Sequence, residues 1–210
     1  MAYQTRPGGT LYADAVDAVT TLIARDGHPP SLDQVAEYMG IPRETLTEIF
    51  PDEAQLLIGM AENALMLLHD QCIRSVVEAD DHDPIAQCQA LADAYVEWAY
   101  RHPREFRIIG MMPGNAFEGN ERLTRYERSI HELMFKLLTR AQAMGLVARD
   151  EDLPMLIASA HIYAYGVGSK MLIGDLTRWI PGKAEMEAAR ASLYFFASKV
   201  FAPPPEHVQD

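Results

Sequence analysis

The side chains that could catalyse a reaction or bind a metal are scattered through this chain of 210 residues. Its seven histidines show neither the His-x3-His nor the His-Glu-x-x-His spacing that places two imidazoles on one helical face. The only cysteines, Cys72 and Cys88, are too few for a disulfide framework or a cysteine-based zinc site. Asp80 and Asp83 precede a proline and predict a helix cap rather than an acid–base pair. Since a phosphate-binding glycine loop and a nucleophile elbow are also missing, the sequence predicts no enzyme, no catalytic residue, no metal site and no cofactor.

Arginines offer a second chemistry, the recognition of an anionic ligand or partner. Two series recur at three-residue spacing among glutamates: Arg101, Arg104, Arg107, Arg122, Arg125 and Arg128. Guanidinium groups bind carboxylates and phosphates through paired hydrogen bonds. At this spacing beside glutamates, a solvated and ion-paired helix face is the more common outcome. The sequence leaves both interpretations open.

Aromatic residues and methionines gather in the middle of the chain, and their chemistry suits a small apolar molecule. Pockets for such molecules are mostly apolar, carry a few placed polar groups, and use the soft methionine side chain to adapt. We predict that the ligand-binding residues are Trp98, Met111, Phe135, His161 and Tyr165. Ordinary core packing is the alternative, and it is the more common fate of any single residue of these types.

The balance of charges limits the partners that the chain can hold by electrostatics. It has 18 basic and 30 acidic side chains, which leaves a net charge of −12. This is the wrong sign for a protein held on nucleic acid by its overall field. Any contact with DNA must therefore be local.

The hydropathy pattern argues against a membrane protein. No stretch approaches the roughly 18 consecutive apolar residues that a membrane span needs. The first ten residues carry no apolar segment typical of a secretory signal. We therefore expect a cytoplasmic protein.

Helices must position these candidate residues. Apolar side chains recur at three- and four-residue spacing almost throughout, and the alternating pattern of strands is missing. The expected fold class is all-α, with about nine helices. The predicted helices cover residues 10–26, 32–38, 43–50, 52–80, 84–101, 104–112, 121–144, 153–175 and 184–201.

Residues 31–50 predict a helix-turn-helix. Ser31 and Gln34 form a capping box before the first short helix, and Gly40 ends it. Pro42 suits the first position of the second short helix. In this arrangement the second short helix can enter the major groove of DNA.

The string from Ser31 to Leu57 resembles the DNA-binding signature of the tetracycline-repressor (TetR) family. The positions that fit have packing or turn roles, and they are Leu32, Val35, Ala36, Gly40, Ile41, Leu46, Phe50 and Leu56. The order of helix lengths over the rest of the chain is also similar. The resemblance implies an all-α homodimer in which an effector bound in the C-terminal domain changes the spacing of two DNA-reading heads. It divides the chain into a head at residues 1–51, a ligand-binding and dimerisation domain at 52–203, and a frayed tail at 204–210.

The positions that would touch DNA depart from the family pattern. The family usually carries an aromatic residue at the position of Thr47, a histidine at Ile49 and a lysine at Glu53, groups that hydrogen-bond to phosphates or attract them. Arg43 and Thr45 carry over. The predicted DNA-binding residues are therefore Arg43, Thr45 and Thr47.

The charge of the head leaves two hypotheses open. Residues 1–57 hold three cations and nine anions, which gives −6. Each neutralised phosphate adds a salt slope of roughly −0.9, and this head has few cations to contribute. The first hypothesis is a ligand-responsive repressor that binds operator DNA and is released by a small apolar effector. The second is a TetR-fold ligand-sensing or protein-interaction module that has lost DNA binding.

The last two long helices are apolar on nearly every side, and a single core cannot cover them. We predict that they join two copies of the chain in a four-helix interface. Gly166 and Gly168 would allow a second helix to approach closely. The predicted interface residues are Ile157, Ala164, Gly168, Met171, Leu193 and Phe196. A thick core within a single copy is the alternative.

Overall fold

The computed structural model describes residues 10–112 and 114–201, so the predicted tail at 204–210 lies outside the described residues. Over these ranges the chain forms ten α-helices and no strand, which confirms the all-α class and comes close to the predicted number of helices. The α-helices are α1 (Leu11–Asp26), α2 (Leu32–Met39), α3 (Arg43–Thr47), α4 (Glu53–Glu78), α5 (Pro84–Arg101), α6 (Pro103–Met111), α7 (Glu121–Ala143), α8 (Leu153–Leu172), α9 (Leu176–Trp179) and α10 (Glu185–Val200). Among them, none is both long and apolar enough to cross a lipid bilayer.

The chain divides into two compact units. The first, here called the head unit, comprises the chain up to Leu65 together with Arg104–Thr124. The second, here called the bundle unit, comprises Met66–Pro103 and the chain from Arg125 onward. Helices α4 and α7 each contribute to both units. The predicted boundary at residue 51 concerns function rather than packing, and it stays a prediction.

The start of the head unit folds as its caps predict. Ser31 and Gln34 form the expected capping box, with the Gln34 amide donating to the Ser31 hydroxyl and the Ser31 amide donating to the Gln34 side chain. Gly40 ends α2 with a φ of 69°, a left-handed conformation that glycine adopts without steric cost. Leu46 of α3 is 0% exposed, and burial of one leucine stabilises the fold by about 1.5–3 kcal/mol.

The ends of α3 and α8 each fall three residues short of the sequence prediction, and the other ends differ by less. Helix α3 stops at Thr47 instead of reaching residue 50, because the proline at position 51 disfavours helical backbone at Phe50. Helix α8 stops at Leu172 instead of residue 175, because Gly174 takes a left-handed conformation with a φ of 72°. The residues that follow form the short helix α9, which a periodicity argument cannot detect in four residues.

Helices α5, α8 and α10 pack against one another in the bundle unit. Asp83 caps α5 by accepting hydrogen bonds from the amides of Ile85 and Ala86, at 2.8 and 3.0 Å, and Pro84 follows as predicted. Asp152 caps α8 by accepting from the amide of Met155 at 3.0 Å. These caps fix where the two helices begin and therefore which side chains face the core.

Candidate functional site

The helix-turn-helix presents a mixed surface along α3. The predicted DNA-binding residue Arg43 is exposed, and the other two, Thr45 and Thr47, are half-buried. Glu44 and Glu48, one helical turn apart, are exposed. The outward side of α3 therefore carries one cation beside two anions.

Two polar side chains of α3, Arg43 and Thr47, have partners within the head unit. The Arg43 guanidinium lies 3.4 Å from a carboxylate oxygen of Asp33, and both side chains are solvent-exposed. Such an exposed pair contributes at most about 1 kcal/mol, so Arg43 can exchange Asp33 for a phosphate. The Thr47 hydroxyl donates to the Glu44 carbonyl at 2.9 Å, which leaves its oxygen available as an acceptor. The arrangement permits a local DNA contact through Arg43, but the charges of α3 together do not attract the phosphate backbone.

Two helix N-termini of the head unit hold carboxylates of the chain itself. The Leu32 amide at the start of α2 donates to Oε1 of Glu53 at 3.2 Å. Hydrogen bonds from the backbone amides of Glu53 and Leu32 lower the pKa of the Glu53 carboxyl. At the start of α4, the Gln55 amide donates to Oδ1 of Asp52 at 2.8 Å. Helix N-termini are natural phosphate sites, and both of these are occupied by an internal anion.

An ion pair links distant segments within the head unit. Arg122, at the start of α7, donates from Nε to Oε2 of Glu62 in α4 at 2.8 Å. Tyr12 of α1 lies close to the pair, since burial and then the Glu62 charge raise the pKa of its phenol, whereas Arg122 lowers it. The Tyr12 ring also packs on Phe50, with ring centroids 5.1 Å apart. No local sequence signal points to this pairing, because Glu62 and Arg122 are 60 residues apart.

Arg101, Arg122 and Arg125 have partners within the chain, and the first two are ion-paired, as one of the two interpretations expects. Besides Arg122, Arg101 pairs with Glu97 one turn earlier at 2.5 Å. The guanidinium of Arg125 lies 4.6 Å from the centre of the Tyr126 ring. These contacts account for the three arginines without an external anion.

The predicted ligand-binding residues are distributed over both units. Trp98 is 1% exposed in the core of the bundle unit, with the rings of Tyr95 and His102 each centred 6.4 Å from its own. Phe135 is exposed on α7 of the same unit, whereas Met111 is exposed in the head unit. The position of Trp98 agrees with the core-packing alternative.

His161 and Tyr165 lie one turn apart on α8, and each interacts electrostatically with a titratable group on a neighbouring helix. Burial lowers the pKa of His161, and the charge of His131 on α7 lowers it further. Burial raises the pKa of Tyr95 on α5, and Tyr165 and Cys72 raise it further. We call Tyr95, His131, His161 and Tyr165 the α8 polar group. The five predicted ligand-binding residues do not include His131 and Tyr95, and the proximity of these two to α8 depends on helix packing that the spacing of residues does not encode.

The predicted interface residues lie mainly on the buried side of α8 and α10. Ile157 is 2% exposed, and Met171, Leu193 and Gly168 are also buried within a single copy. Ala164 and Phe196 are half-buried. Burial of the other four residues within one copy leaves them little surface to offer a second copy, and the predicted interface stays a prediction. An all-round apolar pattern cannot show which side of a helix faces its own core.

The opposite side of α8 exposes large apolar residues in a stripe. Met155, Ile162 and Ile173 recur at helical spacing, with Ser159 and Gly166 between them. Ile162 is 71% exposed. Phe195 of α10 is exposed as well. We call the exposed apolar residues Met155, Ile162, Ile173 and Phe195 the α8–α10 face.

A cleft of about 210 Å³ lies between α8 and α10 beside this face. It is lined by Glu151, Leu156, Ser159, Phe196, Lys199 and Val200. The ammonium group of Lys199 lies 5.0 Å from the centre of the Phe195 ring. The cleft has apolar walls and charged groups at its rim.

An exposed loop before α5 gathers three groups that could hold a cation. Ligand atoms of Asp80, Asp81 and His82 lie within 4.8 Å of one another. Asp80 accepts a hydrogen bond from the His82 amide at 2.9 Å, and a ring nitrogen of His82 contacts a carboxylate oxygen of Asp81. These local bonds explain the cluster as part of the loop that leads to the Asp83 cap.

Known proteins share this sequence pattern and this fold. The family model described as "Tetracyclin repressor-like, C-terminal domain" matches residues 88–193, just over half of the chain. A protein with unknown function from Rhodococcus sp. RHA1 has a solved structure that is similar at 24% identity, with a TM-score of 0.73, and the match covers 95% of this chain and 100% of that one. No protein with a curated description matches.

Two further solved structures share the fold. The fatty acid degradation regulator FadR from Bacillus halodurans is 14% identical, with a TM-score of 0.71, over 91% of this chain and 97% of that one. The TetR family transcriptional regulator PfmR from Thermus thermophilus is 15% identical, with a TM-score of 0.64, over 91% of this chain and 96% of that one. At these identities the likeness concerns the fold.

Proposed function

Because the chain belongs to the tetracycline-repressor (TetR) family of transcriptional regulators, we propose that it is a homodimeric repressor that binds operator DNA and is released by a small apolar effector. The observation that carries this proposal is the helix-turn-helix of α2 and α3, with exposed Arg43 at the start of α3. Arg43, Thr45 and Thr47 are the groups proposed to contact DNA. A local contact of this kind is compatible with the negative charge of the whole chain.

The proposed mechanism is a shift between two populations of the dimer. A dimeric regulator reads two successive major grooves, which lie about 34 Å apart. An effector that binds better to a dimer with another spacing of its heads lowers the affinity for DNA. The repressor then leaves its operator without any chemical change.

We place the effector at the α8 polar group in the bundle unit. His161 and Tyr165 are exposed yet face His131 and Tyr95, so they can offer hydrogen bonds to a ligand resting on α8. Buried Trp98 supports this region from the core. A mostly apolar molecule with one or two hydrogen-bonding groups fits such a surface.

The effector site can be tested by thermal unfolding with a panel of fatty acids and acyl esters as probes. A ligand whose free concentration is 100 times its dissociation constant stabilises the fold by about 2.7 kcal/mol. We expect His161→Ala and Tyr165→Phe to reduce the stabilisation given by an active probe. Tyr100→Phe, at an exposed tyrosine of α5, is the matched control. An unchanged response in both α8 variants would place the site elsewhere.

Operator binding can be tested by fluorescence anisotropy with DNA from upstream of the chain's own gene, at low salt. We expect a specific complex whose affinity falls about tenfold or more in Arg43→Ala. Arg74→Ala, which removes an exposed arginine of the bundle unit, should leave the affinity unchanged. If no complex forms at micromolar protein, operator binding is wrong for this chain.

A second candidate function is a TetR-fold module that senses a ligand or binds a protein without contacting DNA. The observation that favours it is the carboxylate of Glu53 at the start of α2, together with that of Asp52 at the start of α4. The salt dependence separates the two functions, because a DNA binder loses affinity steeply as salt rises. The second function instead predicts no binding even at the lowest salt.

A further inference from the structure

The chain between α8 and α10 forms a rigid corner that projects apolar side chains. Trp179 is 67% exposed, and Ile173 is exposed as well. We call residues 173–179 the α9 corner. An indole of this size in water is unusual on a single-chain surface, and aromatic residues of this kind anchor many protein interfaces.

Ionic and backbone hydrogen bonds hold the α9 corner in place. Asp175 accepts from Lys170 at 2.5 Å and from Arg178 at 2.8 Å. Glu185 of α10 accepts from the backbone amides of Leu176 and Thr177, at 3.1 and 3.2 Å. Because the corner is fixed before any partner arrives, little conformational entropy is lost when it docks.

The cleft between α8 and α10 lies at the other end of α8 from this corner. Ser159 and Leu156 line it near the start of α8, and Phe196 lines it from α10. The cleft and the α9 corner are therefore the two ends of one exposed stripe.

The middle of that stripe is open to a second helix. A side chain added at Gly166 would meet no atom within 4 Å, and the residue is exposed. Ser159 lies seven residues before Gly166 and Ile173 lies seven residues after it, about 10 Å along the helix in each direction. If two copies pair antiparallel about Gly166, the α9 corner of one copy faces the cleft of the other.

The distribution of charge favours the antiparallel pairing over the parallel one. The exposed charges near the α9 corner are the cations Lys170 and Arg178, which cover the less exposed Asp175. The exposed anions at the start of α8, Asp150, Glu151 and Asp152, outnumber the exposed cations at that end, Arg149 and Lys199. A parallel pairing brings like charges together at both ends, whereas an antiparallel pairing sets cations opposite anions.

We propose that Trp179 of one copy inserts into the cleft between α8 and α10 of a second copy, so that each dimer has two such contacts. This inference rests on the proposed homodimer and names its anchor and its docking site. The Arg178 guanidinium lies 4.7 Å from the Trp179 ring centre. In the proposed contact it would therefore lie near Glu151, which lines the cleft of the second copy.

Cysteine cross-linking tests this contact directly. Two single variants, Trp179→Cys and Ser159→Cys, are prepared separately and then mixed under mild oxidation. The native thiols do not interfere, because burial raises the pKa of both Cys72 and Cys88 to about 12. We expect a covalent dimer in the mixture and none in either variant alone.

Sedimentation of the same samples separates the failure of this inference from the failure of the homodimer. A dimer that cross-links only in the mixture supports the contact. A dimer that cross-links in a single variant, or not at all, overturns the contact and leaves the homodimer standing. A monomer at every concentration overturns both.

A truncation gives a second measurement that does not depend on cysteine geometry. Trp179→Ala should raise the dissociation constant of the dimer about tenfold or more, as truncation of an interface anchor does. Tyr100→Ala, at an exposed aromatic residue of α5, should leave it unchanged. Equal dissociation constants for Trp179→Ala and the unmodified chain would contradict the proposal.

Discussion

The head unit buries the apolar residues of α2 and α3, whereas the α8–α10 face exposes its apolar residues to water. Leu32, Val35 and Leu46 of α2 and α3 are buried, and charged groups cover the outward side of these helices. Ile162 and Phe195 are exposed instead. The contrast indicates that α2 and α3 complete their core within one copy, whereas the apolar side of α8 and α10 is left uncovered.

The two regions also differ in how their polar groups are used. In the head unit, Glu53 and Asp52 occupy the helix N-termini where a phosphate would bind. At the α9 corner, Glu185 and Asp175 hold a short helix so that Trp179 projects outward. Carboxylates thus occupy the possible phosphate sites of the head unit, whereas at the α9 corner they hold the backbone that carries the exposed Trp179.

The largest expected effect is a loss of stability that distinguishes a buried leucine of the head unit from an exposed isoleucine of the α8–α10 face. Leu46→Ala should lower the free energy of unfolding by about 2–5 kcal/mol, because it leaves a cavity at a fully buried site. Ile162→Ala should change it by no more than about 0.5 kcal/mol in a monomer, because the side chain is already in water. Urea denaturation at high dilution measures both. Similar losses in the two variants would remove the contrast between the regions.

A charge on the exposed stripe should have the next largest effect. Ile162→Lys should raise the dissociation constant of the proposed dimer about 100-fold, which corresponds to about 2.7 kcal/mol, because an unpaired ammonium would be buried between copies. Val77→Lys places the same charge at another exposed apolar residue of the bundle unit and is the control. Sedimentation velocity over a dilution series gives both constants. If the two variants dissociate alike, the stripe is not the interface.

Reversal of the charge at Glu53 tests whether this carboxylate limits the affinity of the head unit for DNA. Glu53→Lys removes the carboxylate from the start of α2 and adds a cation, so we expect about tenfold tighter binding to duplex DNA at low salt. The salt slope should become steeper by about one unit for each phosphate gained. Glu78→Lys makes the same change of charge at the end of α4 and should have little effect. Equal gains in both variants would show that net charge alone, rather than the helix N-terminus, limits the head.

The smallest effect is a pH dependence from His161 of α8. Burial and His131 lower the pKa of His161 in the folded state, so the unfolded chain binds more protons as the pH falls below neutral. The free energy of unfolding should therefore fall slightly between pH 7 and pH 5. His161→Gln should flatten this slope, whereas His82→Gln, at an exposed loop histidine, should not. The opposite slope would mean that the imidazolium has a partner in the fold.

Local sequence signals were sufficient for most helix boundaries. Ser31 with Gln34, and Asp83 with Pro84, begin their helices as predicted, because capping bonds involve neighbours within a few residues. The end of α3 was wrong by three residues, and the proline after Phe50 is a local signal that disfavours helical backbone there. Such errors come from local chemistry and can be corrected from the sequence.

The sites depend on packing, and the sequence could not reveal them. Glu53 hydrogen-bonds to Leu32 and Glu62 to Arg122, although 21 and 60 residues separate them in the sequence. At such sequence separations the spacing of residues does not indicate which side chains meet. Ile157 and Ile162 belong to the same apolar helix, yet only the fold shows that the first faces the core and the second faces water. The predicted helices and residues of the interface stay a proposal, to which the exposed residues of the α8–α10 face are added.

Sedimentation equilibrium of the unmodified chain tests most directly the claim that a second copy covers the α8–α10 face. The account predicts the mass of two chains at about 10 μM and a dissociation constant of about 1 μM or lower. A single mass near 23.5 kDa that persists to about 100 μM would contradict it, because the exposed stripe would then be stable in water without a partner copy.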